Sequence, residues 1–115
     1  MTTTIWHNPR CSKSRQTLQL LRDNGIEPEV VEYLKTPPSA AELTAVLTAL
    51  QMTPRELMRT KEAVYKQMAL GDDGLSDQQL IDAMVNEPKL IERPVVIHDG
   101  KAALGRPPEQ VLALF

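Results

Sequence analysis

The sequence predicts an α/β fold in which helices pack on one mixed β-sheet. Short β-prone segments lie near both ends of the 115-residue chain, and segments with helical spacing fill the middle. The resulting order is β-α-β, several helices, then β-β-α, and this order is typical of a mixed sheet covered by helices. The length fits a single domain, residues 1–115, with one hydrophobic core.

The first third predicts a β-α-β unit. Residues 3–7 form a β-prone run that ends at an Asn-Pro turn signal, and a helix fits residues 12–24, with Leu18 and Leu21 on one face and Gly25 placed to cap its end. Residues 30–33 then predict a second strand. A β-α-β opening favours a parallel pair of strands.

Three helix-start signals predict that the middle of the chain is helical. In each one, a Ser or Thr precedes a Glu or Gln by three residues, so the two side chains can satisfy free amides at a helix start. The pairs are Ser39 with Glu42, Thr53 with Glu56, and Ser76 with Gln79. Apolar residues at helical spacing follow the first and third signals.

The last third predicts a β-hairpin and a closing helix. Residues 95–98 and 101–104 flank Asp99 and Gly100, a dipeptide that favours a two-residue hairpin turn. A short helix fits residues 108–115.

Charge and composition exclude several classes of protein. The formal net charge is −2 and the pI is about 5.7, so nothing attracts the chain generally to nucleic acid or to an anionic membrane. No apolar run approaches the length of a membrane span, and residues 1–7 have no basic segment followed by an apolar stretch, so we expect a soluble protein that is not exported. With one cysteine there is no internal disulfide, and we expect a cytoplasmic protein.

Cys11 is the strongest candidate for a catalytic residue. It lies where a strand turns into a helix, so free amides and the helix dipole favour its thiolate. Arg10, Lys13 and Arg15 add positive charge, and the Ser14 hydroxyl is placed to donate a hydrogen bond to the sulfur. The alternative is a small buried hydrophobic residue, which fits poorly among three cations.

Cys11 begins a C-x-x-S motif, which is a redox motif without its second cysteine. Because the chain has no other cysteine, an oxidised or substrate-bound Cys11 needs a thiol from another molecule. His7, at the end of the first strand, either helps to polarise this site or has a structural role. We predict no metal ligands.

Three arginines are candidates for binding an oxyanion. Arg59 lies near the end of a predicted helix, whereas Arg93 and Arg106 each precede a proline and therefore lie on extended backbone. The planar guanidinium group donates paired hydrogen bonds to tetrahedral oxyanions. The alternative for each one is a solvated surface charge, and sequence alone does not show that the three converge on Cys11.

The chain resembles the glutaredoxin-coupled arsenate reductase family, in particular its short chromosomal relatives. The resemblance extends over nearly the whole chain. It is carried by six segments in order: HNPRCSKSR (7–15), YLKTPP (33–38), ELMR (56–59), LIDAM (80–84), IERPVVI (91–97) and GRPPEQVL (105–112).

This resemblance implies a thioredoxin-like fold with a helical insertion between its β-α-β and β-β-α halves. It implies that Cys11 is the nucleophile, that Arg59, Arg93 and Arg106 bind the oxyanion, and that Pro94 follows a cis peptide bond. It also implies arsenate as substrate, no bound cofactor, glutathione as co-substrate and glutaredoxin as the partner that completes reduction to arsenite.

Two other functions stay open at this point. A glutathione-dependent thiol oxidoreductase would keep the Cys11 chemistry but act on another oxyanion or on a mixed disulfide. A non-catalytic regulator that binds RNA polymerase would share the fold, but such regulators usually carry C-x-x-C, whereas this chain has serine at the second position.

Overall fold

The computed structural model describes residues 2–115, which divide into two compact units. The first unit combines the residues up to Thr36 with Arg93–Phe115, and the second is Pro37–Glu92. The second unit is therefore inserted in the sequence between the two halves of the first, as the resemblance implies. The expectation of a single domain stays a prediction.

The first unit contains a four-stranded mixed sheet. Its elements, in chain order, are β1 (Thr3–Trp6), α1 (Ser12–Asp23), β2 (Glu29–Val31), β3 (Val95–His98), β4 (Lys101–Leu104) and a 3₁₀ helix (Pro108–Leu114). The strand order is β2-β1-β3-β4, with β1 parallel to β2 and the other pairs antiparallel. The predicted β-α-β unit, its parallel pair and the hairpin are all confirmed.

The core of the first unit lies between the sheet, α1 and the 3₁₀ helix. Ile5, Leu18, Leu21, Val96 and Val111 form a cluster of buried side chains. Leu18 and Leu21 are the two residues that the helical spacing assigns to the inner face of α1. The segment between Trp6 and Ser12 is therefore fixed at one end by the sheet and at the other end by α1.

The second unit is helical. It contains α2 (Ala40–Leu50), α3 (Pro54–Leu57), α4 (Ala63–Gln67), α5 (Asp77–Asn86) and a 3₁₀ helix (Pro88–Leu90). All three predicted capping boxes are present, with both hydrogen bonds formed in each. Its buried side chains include Leu43, Leu47, Leu57, Leu80 and Met84.

Two elements differ from their predicted form. The strand predicted over residues 30–33 ends at Val31, because Lys35 and Thr36 both donate to the Glu32 carbonyl and turn the chain, with Tyr33 buried in the turn. The closing helix is 3₁₀ rather than α, since two prolines lack amide protons and its end bonds span three residues, as from Gln110 to the Pro107 carbonyl.

The hairpin turn has the expected geometry. Asp99 and Gly100 have φ angles of 51° and 77°, and a two-residue turn of this kind needs both to be positive. Among the described residues, no helix is long and apolar enough to cross a membrane.

Candidate active site

Cys11 caps the amino terminus of α1. Its backbone is extended (φ −94°, ψ 123°), while its carbonyl already accepts the first helical bond, from the Arg15 amide, at 3.0 Å. Its own amide donates to the Asn8 carbonyl at 3.0 Å, which closes the loop after β1. The thiol is reduced and half-buried, so it is both held in place and open to a reactant.

The pKa of the Cys11 thiol is lowered from its ordinary value. Burial alone raises it, because a charge is costly to desolvate. Four effects that favour the thiolate outweigh burial. They are hydrogen bonds from the Ser14 amide, the Lys13 amide and the Arg93 side chain, and the positive charge of Arg93. The sulfur is therefore shifted toward the thiolate, the form that acts as a nucleophile.

The loop before Cys11 is fixed by its own hydrogen bonds. The Asn8 side-chain oxygen accepts from the Arg10 amide at 3.0 Å, and the Asn8 amide donates to the Ser14 hydroxyl oxygen at 3.0 Å. Arg15 donates from Nη1 to the Pro9 carbonyl, also at 3.0 Å. The exposed Arg15 side chain thus supports the loop by donating to a backbone carbonyl of the loop.

The Ser14 hydroxyl oxygen lies 2.6 Å from Nδ1 of His7, and the Ser14 backbone amide is the group of this residue that lowers the pKa of the Cys11 thiol. The predicted hydrogen bond from the hydroxyl to the sulfur stays a prediction. Ser14 is fully buried in the first turn of α1, where its side chain reaches back to the end of β1. The hydroxyl therefore joins the helix to the strand.

His7 is buried, and burial is the largest cause that lowers its pKa. Arg22 and Arg15 lower the pKa further, whereas Glu32 raises it. The imidazole is consequently neutral near pH 7. Of the two sequence-based alternatives for His7, its hydrogen bond to Ser14 supports the structural one.

Arg93 and Arg106 lie on the carboxyl-terminal part of the first unit. The Arg93 side chain hydrogen-bonds with the Cys11 sulfur, and Arg106 donates from Nη1 to the Arg93 carbonyl at 3.2 Å. The Arg93–Pro94 peptide bond is cis, as the resemblance implies, and the Arg106–Pro107 bond is also cis, which the sequence did not indicate.

Gly105 sets the position of this segment. A Cβ atom there would lie 2.4 Å from Oγ1 of Thr17 and 2.7 Å from Cγ of Pro94, so only glycine fits. The Gly105 amide donates to the Pro94 carbonyl at 3.0 Å. Because Thr17 is buried on α1, this contact fixes Pro94 and the residue before it relative to the helix that Cys11 caps.

Arg59 belongs to the second unit. It follows α3, its amide donates to the Leu90 carbonyl at 2.7 Å, and its guanidinium forms a salt bridge with Glu62. Its predicted role in oxyanion binding stays a prediction.

The first unit thus brings together most of the predicted site residues: Cys11, Ser14, Arg93 and Arg106, with His7, Arg15 and Pro94 in support. Sequence reasoning missed Asn8, which makes three of the hydrogen bonds that shape the loop. The signal was available, because asparagine favours turns in which its side chain bonds to nearby backbone. Among residues 2–115, no group of three His, Cys, Asp or Glu side chains is placed to hold a metal ion.

The chain is similar to known proteins over nearly its whole length. The sequence model of the ArsC family matches residues 6–114. An "Uncharacterized protein YfgD" from Escherichia coli K12 is 60% identical over 111 residues, 96% of this chain and 93% of the relative. An "Arsenate reductase" from Rhizobium meliloti is 50% identical over 115 residues, all of this chain and 82% of the relative.

A solved structure is also closely similar. The "Arsenate reductase from Vibrio cholerae" superposes with a TM-score of 0.97 at 52% identity, covering 100% of this chain and 98% of that one. The fold is therefore thioredoxin-like, as the resemblance implied.

Proposed function

The chain belongs to the ArsC family, and from that premise we propose that it is an arsenate reductase that uses glutathione and glutaredoxin as reductants. The observation that carries the proposal is the Cys11 thiolate at the start of α1, stabilised by two backbone amides and by Arg93. A nucleophilic sulfur and a guanidinium that share one hydrogen bond are suited to a small tetrahedral anion.

In the first step, the Cys11 thiolate attacks the arsenic of arsenate. A sulfur–arsenic bond forms, and one arsenate oxygen leaves as water after accepting protons from solvent. Arsenic stays in the +5 state. Arg93 stabilises the charge on the remaining oxygens, because a fixed guanidinium donates to them without reorganising.

The reduction itself needs two further thiols, because Cys11 is the only cysteine in the chain. Glutathione forms a second sulfur–arsenic bond, and another oxygen leaves as water. A glutaredoxin thiolate then attacks the glutathione sulfur, and the electron pair of the broken bond stays on arsenic. The two thiols are oxidised to a mixed disulfide and arsenic is reduced to the +3 state, after which water releases arsenite from Cys11.

Arg106 assists by donating to the Arg93 carbonyl, which connects its side chain to the residue that contacts the Cys11 sulfur. For Arg59 the assignment to substrate binding is supported by the resemblance of residues 56–59. We also propose a cytoplasmic location, where glutathione keeps a single thiol reduced.

The test is arsenite production with glutathione and glutaredoxin present, compared between the wild type and Cys11→Ser. The wild type is expected to turn over and the variant to be inactive, and omission of glutaredoxin should stop multiple turnovers. Equal arsenite production by the two proteins would contradict the proposal. The variants Arg59→Ala, Arg93→Ala and Arg106→Ala test the oxyanion ligands separately, through the KM for arsenate.

A further inference from the structure

A groove of about 270 Å³ lies in the first unit beside the Cys11 loop. One wall is the loop after β1, and the other is the turn after β2. Its lining residues are His7, Asn8, Pro9, Arg10, Glu32, Leu34 and Lys35. The volume is just below the range for sites that bind drug-sized molecules, so the groove suits one small ligand.

The groove carries charges of both signs. Arg10 and Lys35 are exposed cations, and the half-buried Glu32 carboxylate accepts from Lys35 at 3.5 Å. Leu34 adds an apolar surface that is 39% exposed. A complementary ligand therefore has carboxylates, an ammonium group and a short apolar stem.

We propose that this groove is the binding site for glutathione, a zwitterionic tripeptide thiol, with Arg10 and Lys35 binding its carboxylates and Glu32 its ammonium group. This inference rests on the proposed function for the choice of thiol. The charges of glutathione, two carboxylates and one ammonium, match the two cations and one carboxylate of the groove.

The position of the groove suits the chemistry. Arg10 immediately precedes Cys11, and the Cys11 amide is bonded to the Asn8 carbonyl on the same wall. The cysteine of glutathione lies between its glycine carboxylate and its γ-glutamyl end, and an extended tripeptide spans roughly 10 Å, so the sulfur lies within about that distance of either charged end. Glutathione anchored at Lys35 and Glu32 therefore presents its thiol toward the Cys11 loop.

Occupation of the groove costs little. The ion pair between Glu32 and Lys35 is exposed to solvent, and pairs of this kind contribute little stability. The carboxylate and ammonium of the ligand replace that pair with two new ones.

A disulfide exchange that needs no arsenate tests the site. The Cys11 thiolate attacks glutathione disulfide, a Cys11–glutathione disulfide forms, and one glutathione thiolate leaves. The rate constant is measured by mass spectrometry and divided by that for 2-hydroxyethyl disulfide, which is neutral. Lys35→Gln and Glu32→Gln are each expected to lower this ratio about two- to fivefold, as for loss of an exposed ion pair.

The matched control is Lys101→Gln. Lys101 is also an exposed cation of the first unit. It lies opposite His98 in the pairing of β3 with β4, and His98 lies opposite Thr3, so Lys101 is at the end of the sheet away from the Cys11 loop. Its ratio should equal that of the wild type. If Lys35→Gln and Lys101→Gln lower the ratio equally, the attraction is general and the proposed groove is wrong.

A binding measurement separates this inference from the proposed function. S-methylglutathione, which has no free thiol, is titrated into ¹⁵N-labelled wild type, and amide shifts are followed by NMR. Shifts concentrated at residues 7–10 and 32–35 support the site even if arsenate is not reduced. Shifts elsewhere, or none, in a protein that does reduce arsenate with glutathione would overturn the site and leave the proposed function standing.

Discussion

The imidazole Nδ1 of His7 lies 2.6 Å from the hydroxyl oxygen of Ser14, and both side chains are buried. The same hydroxyl oxygen accepts the Asn8 amide at 3.0 Å. One serine therefore joins the end of β1, the loop and the first turn of α1. Because the Ser14 amide also stabilises the thiolate, the side chain and the backbone of this residue have separate functions.

Ser14→Ala should separate those two functions. The change leaves a buried imidazole nitrogen and the Asn8 amide without their partner, at a cost of about 1–3 kcal/mol in the free energy of unfolding. The pKa of Cys11 should stay low, since the backbone amide at position 14 remains. Urea unfolding and the pH dependence of alkylation measure the two effects. Ser12→Ala, exposed in the same turn, is the control, and an equal loss of stability in both variants would contradict the prediction.

Arg93→Gln should raise the pKa of the Cys11 thiol. Burial raises this pKa and the Ser14 amide is the largest cause that lowers it, while Arg93 adds both a positive charge and a hydrogen bond to the lowering. In the wild type, the rate of iodoacetamide alkylation should reach half its maximum at a pH below the pKa of a free thiol. The variant should move this midpoint upward, toward the ordinary value. Lys101→Gln should not move it, and a midpoint unchanged by Arg93→Gln would be inconsistent with this account.

The pH dependence of stability should reflect His7. Burial lowers the pKa of His7 in the folded state, so the unfolded chain binds the proton more readily once the pH falls below about 6.5. The free energy of unfolding should therefore decrease as the pH falls from about 6.5 through the lowered pKa. Urea unfolding at a series of pH values checks this.

His7→Asn should flatten that slope, because asparagine at position 7 does not bind a proton in this pH range. His98→Gln is the matched control, since it removes the other histidine of the chain and keeps His7. The same slope in wild type and His7→Asn would assign the pH dependence to other groups.

The secondary structure and the nucleophile were predictable from sequence, because their causes are local. The capping boxes, the Asp99–Gly100 turn and the position of Cys11 at a helix start depend on residues within a few positions of one another. The partner of the Ser14 hydroxyl was not predictable. That partner is His7, which the strand and the helix bring to the hydroxyl only in the folded chain.

The closing segment shows the same distinction. Its helical character follows from sequence, but its 3₁₀ form depends on i→i+3 bonds, as between Gln110 and Pro107, that no pattern specified. The contact of Gly105 with Thr17 joins residues 88 positions apart, so no local pattern revealed it.

Gly105→Ala tests that contact. The new Cβ would lie 2.4 Å from Oγ1 and 3.0 Å from Cγ2 of Thr17, and 2.7 Å from the Pro94 ring. Overpacking of this kind costs about 1–3 kcal/mol, and the relaxation moves Pro94 and the neighbouring Arg93 away from Cys11. We therefore expect a lower free energy of unfolding and a raised pKa of the Cys11 thiol, measured by urea unfolding and by alkylation.

The double variant Gly105→Ala/Thr17→Ala shows whether the clash is the cause. Removing Oγ1 and Cγ2 leaves space for the new methyl group, so the double variant should lose less stability than the sum of the two single changes. Thr17→Ala alone removes the hydrogen bonds of Thr17 to the carbonyls of Lys13 and Gly105, which is why the single variant is measured as well. If the two losses simply add, residue 105 and Thr17 act independently, and the close approach does not hold Arg93 at the thiolate.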